Sequence, residues 1–210
     1  MFGSSLAHVA AGFGIGVALA GAPGPVQAIL LAEALRGGLG RGFRTMVGAN
    51  LTFGVLLLAL ALGLSIAPPS GLALRALKIA GGAFLLWLAV EGLRTSHQLV
   101  DDSAAGHRLT VPPVARGALA VVLNPGAWLF LGAVASPLLG AATRDGGTGG
   151  ALAVVAALTA GVMIGDGAVV VLGGIGIRKG GARLEKWVRR GLALLLSGLG
   201  IWLLFSGLIT

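Results

Sequence analysis

Asp166, a carboxylate embedded in an apolar stretch and flanked by Gly165 and Gly167, is the residue of this chain best placed to do chemistry. A carboxylate at the centre of a hydrocarbon layer costs about 2.5–3.5 kcal/mol on insertion scales and is by default a functional group. In that position it can bind a solute amino group or carry a coupled proton. The competing reading is a structural acceptor for a buried donor such as Asn50 or Asn124. The other polar residues set among apolar neighbours are Gln27, Asn50, Thr52, Asn124 and Thr159. An asparagine both donates and accepts, which suits a zwitterionic solute and equally suits a tie between helices.

Two proline positions accompany these groups. Pro23-Gly24-Pro25 lies in the first apolar stretch, and Asn124-Pro125-Gly126 lies in the fourth. A proline inside a helix removes a backbone donor and clashes with the carbonyl four residues back. The spacing predicts a break about two-thirds along the first stretch and a kink or break near the middle of the fourth. Broken helices at matching positions of two halves point to a midplane solute site, whereas a single kink is often packing alone. The residues expected to bind solute are therefore Pro23, Gly24, Pro25, Gln27, Asn50, Asn124, Pro125 and Asp166, with Asp166 also the expected carrier of a coupled proton.

The elements that must position these residues are six apolar stretches, 7–33, 44–67, 72–93, 112–141, 149–176 and 186–208. Each exceeds the roughly 20 residues that a bilayer crossing requires. The chain is 56% hydrophobic and 10% charged, with a mean hydropathy of +0.97. The expectation is an all-α integral membrane protein of six transmembrane helices, a single transmembrane domain over 1–210. The first stretch reads as a span rather than a cleaved leader, since it is long and follows no basic region. The halves, about 1–100 and 111–210, each hold three spans. Besides the proline breaks they share Phe84-Leu85-Leu86-Trp87-Leu88 and Leu199-Gly200-Ile201-Trp202-Leu203. Three spans per half would invert the second copy in the membrane, giving a 3+3 inverted repeat with broken first and fourth helices.

The net charge of +8 does not imply nucleic acid, because the basic residues lie between spans and orient them. The loops after spans one, three and five carry twelve Lys and Arg, against Arg75, Lys78 and Arg144 on the other side. The positive-inside rule then places both termini outside and the Arg-rich loops in the cytoplasm. A tight hairpin is expected at Ala67-Pro68-Pro69-Ser70-Gly71, and a polar turn at Thr143-Arg144-Asp145-Gly146-Gly147. With no cysteine, disulfides and thiolate sites are excluded. There is no phosphate-binding loop and no Ser/His/Asp set, so an enzyme, a cofactor and internal ATP-driven pumping lack support. His97, Asp101, Asp102 and His107 lack dense ligand spacing and read as a solvated loop rather than a metal site.

Rows of small residues run along span one (Gly12, Gly16, Ala20, Gly24, Ala28, Ala32) and span five (Gly149, Ala153, Ala157, Gly161, Gly165). Such rows allow close helix packing, or a homodimer. Glu33 with Arg36 and Glu91 with Arg94 have the spacing of helical ion pairs at the interface. Trp87, Trp187 and Trp202 read as interfacial anchors. Trp128 either lines the site or fills space.

In order and spacing, these features resemble the LysE/RhtB family of amino-acid exporters. The resemblance rests on Pro23-Gly24-Pro25, the basic positions 36–44, positions 77–94, Leu123-Asn124-Pro125, and the basic segment 178–190 before a glycine-rich last span. It implies a small six-span exporter, dimeric, that expels amino acids by alternating access using the proton motive force in the plasma membrane of a prokaryote. The chain departs from the family pattern in three places. Val26 and Gly126 stand where members often carry Asn and Lys, and positions 48–53 hold no acidic residue. A divalent-cation exporter of the same superfamily and a non-transporting membrane scaffold are the competing functions.

Overall fold

The computed structural model describes residues 2–22, 24–64, 70–94, 111–179 and 181–209. Every regular element among them is helical: α1 (Phe2–Gly21), α2 (Pro25–Ala61), α3 (Gly71–Arg94), α4 (Pro113–Val122), α5 (Pro125–Phe130), α6 (Ser136–Ala168), α7 (Gly174–Lys179) and α8 (Gly181–Ile209). Wider π turns at Leu131–Ala135 and Val169–Gly173 join α5 to α6 and α6 to α7 without a loop. Four stretches are long and apolar enough to cross a bilayer, Pro25–Ala61, Gly71–Val90, Pro125–Gly176 and Lys186–Ile209; Ser5–Gly21 and Pro113–Val122 are shorter apolar helices. Leu6, Leu51, Leu172, Leu194 and Phe205 stand exposed on the outer surface. Lipid accepts such a surface at no cost, while water does not. The chain is an all-α, multi-pass membrane protein.

Two glycine pairs fold the longest helices. In α2, Gly37 and Gly38 leave the helical region, and Gly38 has φ 79°. In α6, Gly146 and Gly147 do the same, and Gly147 has φ 61°. Those angles favour glycine because a Cβ would meet the following carbonyl. Each pair divides its helix into two arms, 25–36 and 39–61 in α2, 136–145 and 148–168 in α6. The expected boundaries shift accordingly. The expected first span is α1 plus the first arm of α2. The loop expected before position 44 is only the Gly37–Gly38 turn, and the polar turn at 143–147 narrows to Gly146–Gly147. The helix of the expected second span stops at Ala61; most of the hairpin at 67–71 and the loop residues His97, Asp101, Asp102, His107 and Arg108 lie outside the described residues.

Three helix pairs make the bundle: α1 on the second arm of α6, α4 on the second arm of α2, and α3 on α8. Glycine brings each pair to backbone contact. A Cβ on Gly16 would overlap the Leu158 carbonyl, and one on Gly161 the Phe13 carbonyl. A Cβ on Gly117 would overlap the Thr45 carbonyl, and one on Gly48 the Val114 carbonyl. Gly82 and Gly200 face each other's carbonyl oxygens across α3 and α8. The small-residue row expected along span five is only partly the contact face. Gly149 meets nothing within 4 Å and Ala153 is exposed, whereas Ala151, Val154, Leu158 and Val162 are buried. Large side chains interleave with the glycines, so a strict four-residue spacing misplaces the face. Gly117→Val should therefore cost about 3 kcal/mol or more, since a side chain there must displace backbone. Gly149→Ala should change stability by less than about 0.5 kcal/mol. Thermal melts of the detergent-purified variants check both.

Candidate functional site

The two breaks are built differently. α1 ends at Gly21, and α2 starts at Pro25 behind an extended Gly24 (φ −160°) that supplies no side-chain cap. Proline suits this first helical position because its missing N–H has no intrahelical role there. The next amides, of Val26 and Gln27, have no carbonyl within the helix to bond. Pro23 lies outside the described residues. At the second break Asn124 is extended and caps α5, its side-chain oxygen accepting the Gly126 N–H at 3.0 Å. That bond takes the amide that would otherwise reach the Val122 carbonyl. Trp128 donates its indole N–H to Val122 O at 2.8 Å instead. Trp128 is thus the residue that re-satisfies the broken helix, a role left open by the sequence. Trp128→Phe should cost about 1 kcal/mol, the net worth of an ordinary intramolecular hydrogen bond, measurable as a lowered melting temperature.

Between the breaks lies a cavity of about 250 Å³. Six of the eight expected site residues line it: Gly24, Pro25, Gln27, Asn50, Asn124 and Asp166. Pro125 is buried and does not reach it; as the first residue of α5 it restarts the helix. Asp166 is 1% exposed. Asn50 Nδ2 donates to Asp166 Oδ2 at 2.9 Å and to Met46 O at 3.1 Å. Gln27 Nε2 approaches Asp166 Oδ1 at 3.5 Å. Asn50 Oδ1 is buried and has no hydrogen-bond partner among the described residues. A buried acceptor without a donor carries a desolvation cost of about 1–3 kcal/mol. An ammonium group beside Asp166 would remove that cost and pair the carboxylate. Two polar residues do not line the cavity: Thr52 bonds back to Gly48 O at 2.8 Å, and Thr159 lines a neighbouring apolar groove with Met46, Leu51 and Met163 that shares Asn50 with the cavity.

A second polar cluster was not legible as such. Glu33 is not the simple interfacial partner of Arg36; it is buried and shared by three arginines. Arg36 Nη1 and Arg116 Nη1 each lie 3.3 Å from Oε1, and Arg41 Nε lies 2.5 Å from Oε2. Arg116, fully buried, also donates to Val111 O at 2.9 Å and lies over the Trp87 ring, 4.8 Å from its centroid. Trp87, expected as an interfacial anchor, also touches this cluster; it is exposed, as are Trp187 and Trp202. The side chains of Glu91 and Arg94 lie outside the described residues.

A comparison with known families decides the chain's place. The LysE type translocator family matches residues 17–207. The chain belongs to the LysE-type translocator family. No curated protein and no solved structure matches it. Members of this family are associated with export of small solutes, amino acids among them, across a membrane. This LysE-type chain is accordingly a membrane transporter and not an enzyme. The match spans both breaks, the cavity, and the Glu33 cluster.

Proposed function

We propose that this LysE-type translocator is a secondary-active exporter of amino acids or similar small zwitterions, exchanging solute for protons by alternating access. The observation that carries the reading is the cavity itself, lined where two helices are broken by a buried carboxylate and by Asn50, whose Oδ1 has no partner among the described residues. The solute ammonium would sit between Asp166 and Asn50 Oδ1. Its carboxylate would face the first amides of α2, where the start of the helix carries partial positive charge. Asp166 can hold an ammonium or a proton but not both. That mutual exclusion couples the two fluxes without any further device. Of the eight residues expected to bind solute, Gly24, Pro25, Gln27, Asn50, Asn124 and Asp166 carry this role, and Pro125 starts α5 at the second break.

Alternating access would come from a 3+3 inverted repeat of six spans. Three features support it. α1 meets the second α6 arm as α4 meets the second α2 arm, glycine to carbonyl in both. Gly37–Gly38 and Gly146–Gly147 make the same two-residue turn in each half. Gly82 and Gly200 contact each other reciprocally. The Glu33–Arg116 pair would close the Arg-rich, cytoplasmic end by joining the first half to the second, with both termini outside. The plasma membrane of a prokaryote is its proposed location, as a single transmembrane domain over 1–210, and the exposed apolar faces leave room for a homodimer.

The absence of native cysteine makes a direct test available. Ala127→Cys places one thiol at the cavity wall. The reading expects a transported amino acid to slow its reaction with a water-soluble maleimide severalfold. Labelling that no amino acid alters, in protein that remains folded, contradicts it.

A further inference from the structure

Resting on the exporter reading, the structure assigns a substrate class: we infer that the cavity selects neutral amino acids with apolar side chains, and that Phe53 and Phe130 determine this selectivity. Gln27 and Asn50 gather round Asp166 through hydrogen bonds, and Asn124 is the other polar side chain named on the wall, its oxygen already accepting the Gly126 N–H. Among the described residues, Asp166 is the cavity's one charged side chain. The remaining wall includes Leu19, Phe53, Val121, Phe130 and Val162, and the two phenyl rings pack with centroids 5.8 Å apart and planes tilted by 45°. Phe53 and Val162 are buried.

The internal pairing sharpens the point. Gly48 and Gly161 occupy equivalent places, each against the carbonyl of its short partner helix. Five residues beyond each glycine stand Phe53 and Asp166. The position equivalent to the carboxylate is therefore a phenyl ring. A second acid there would hold the far ammonium of a dibasic amino acid; the ring offers it nothing. A charge brought against that wall loses its water without gaining a partner. A carboxylate side chain meets the same obstacle, since no cation among the described residues lines the cavity. An apolar side chain instead gains about 0.8 kcal/mol per buried CH₂. At about 250 Å³ the space is below the ~300–1,000 Å³ of clefts that take drug-sized ligands, so it takes one small solute.

The test is binding to the full-length protein in nanodiscs, by titration calorimetry with leucine, alanine, lysine and glutamate, alongside proteoliposome efflux of each. Leucine should bind at least about tenfold more tightly than lysine or glutamate, and about tenfold or more tightly than alanine. Phe130→Ala, at a half-buried position, should erase most of leucine's margin over alanine. Phe53→Asp should raise lysine affinity relative to leucine in folded protein. Equal binding of lysine or glutamate with efflux intact overturns the inference and leaves the exporter reading standing. Absence of binding and efflux for all four overturns both.

Discussion

Asp166→Asn should reduce proton-driven efflux at least about a hundredfold while the protein still inserts and folds. The magnitude follows from the partner it leaves. An ammonium held in a low-dielectric cavity without its carboxylate loses about 3–5 kcal/mol, and every 1.4 kcal/mol is tenfold. Folding should persist because an asparagine oxygen can still accept the Asn50 N–H now given to Asp166 at 2.9 Å. Solute binding and proton coupling should be lost together, because both use the same oxygen atoms. Asn50→Ala provides the contrast. It removes one acceptor and one donor but leaves the charge, so it should weaken binding by about tenfold and retain gradient dependence. Efflux measured with and without a pH gradient separates the two outcomes. Gradient-driven efflux by Asp166→Asn at the native rate would remove Asp166 from the mechanism.

The second large effect is expected at the other end of the bundle. Glu33→Gln leaves Arg36, Arg41 and Arg116 without their shared carboxylate. Breaking a buried ion pair from one side costs about 3–5 kcal/mol. The variant should melt far lower than the native protein or fail to accumulate. Adding Arg116→Met should recover part of the loss, since it removes the deepest of the three unneutralised charges and keeps the volume beside Trp87. A double-mutant cycle by thermal melting should give a coupling above about 1 kcal/mol. Additivity within about 0.5 kcal/mol would mean that the two residues do not act as a pair. If the pair also closes the cytoplasmic end, the rescued double variant should show faster thiol labelling of Ala127→Cys from that side.

The centre of the candidate site was legible in the sequence because its chemistry is out of place there. A carboxylate among apolar residues and prolines within apolar spans conflict with their surroundings, and such conflicts need no tertiary information to detect. Asp166, Asn50, Gln27, Gly24, Pro25 and Asn124 were found on that basis and line one cavity. Pro125 starts α5 and is not part of that lining; a proline that starts a helix and one that lines a cavity look alike in sequence. Trp128 was undecided for a related reason: its acceptor, the Val122 carbonyl, exists only once the helix has broken.

The Glu33 cluster was half legible. The i, i+3 partner Arg36 is a local relation and was read; Arg116 lies 83 residues away and looks like any basic residue beside a span. Only the packing of α4 on α2 brings it in. The same limit applies to glycine. Rows at four-residue spacing include the close contacts at Gly16 and Gly161 but also Gly149, which meets nothing within 4 Å, and the exposed Ala153, while the close contacts at Gly48, Gly117, Gly82 and Gly200 lie outside those rows. The Gly37–Gly38 and Gly146–Gly147 pairs were available signals. Each is a Gly-Gly step between helical segments, and each marks the tight turn more sharply than the charged residues around it.

The most direct measurement of the central claim is efflux of labelled amino acids from proteoliposomes under an imposed pH gradient, comparing the native chain with Asp166→Asn. The account predicts gradient-stimulated efflux of a subset led by leucine, abolished in the variant. No efflux of any amino acid from folded native protein, or equal efflux from the variant, would contradict it.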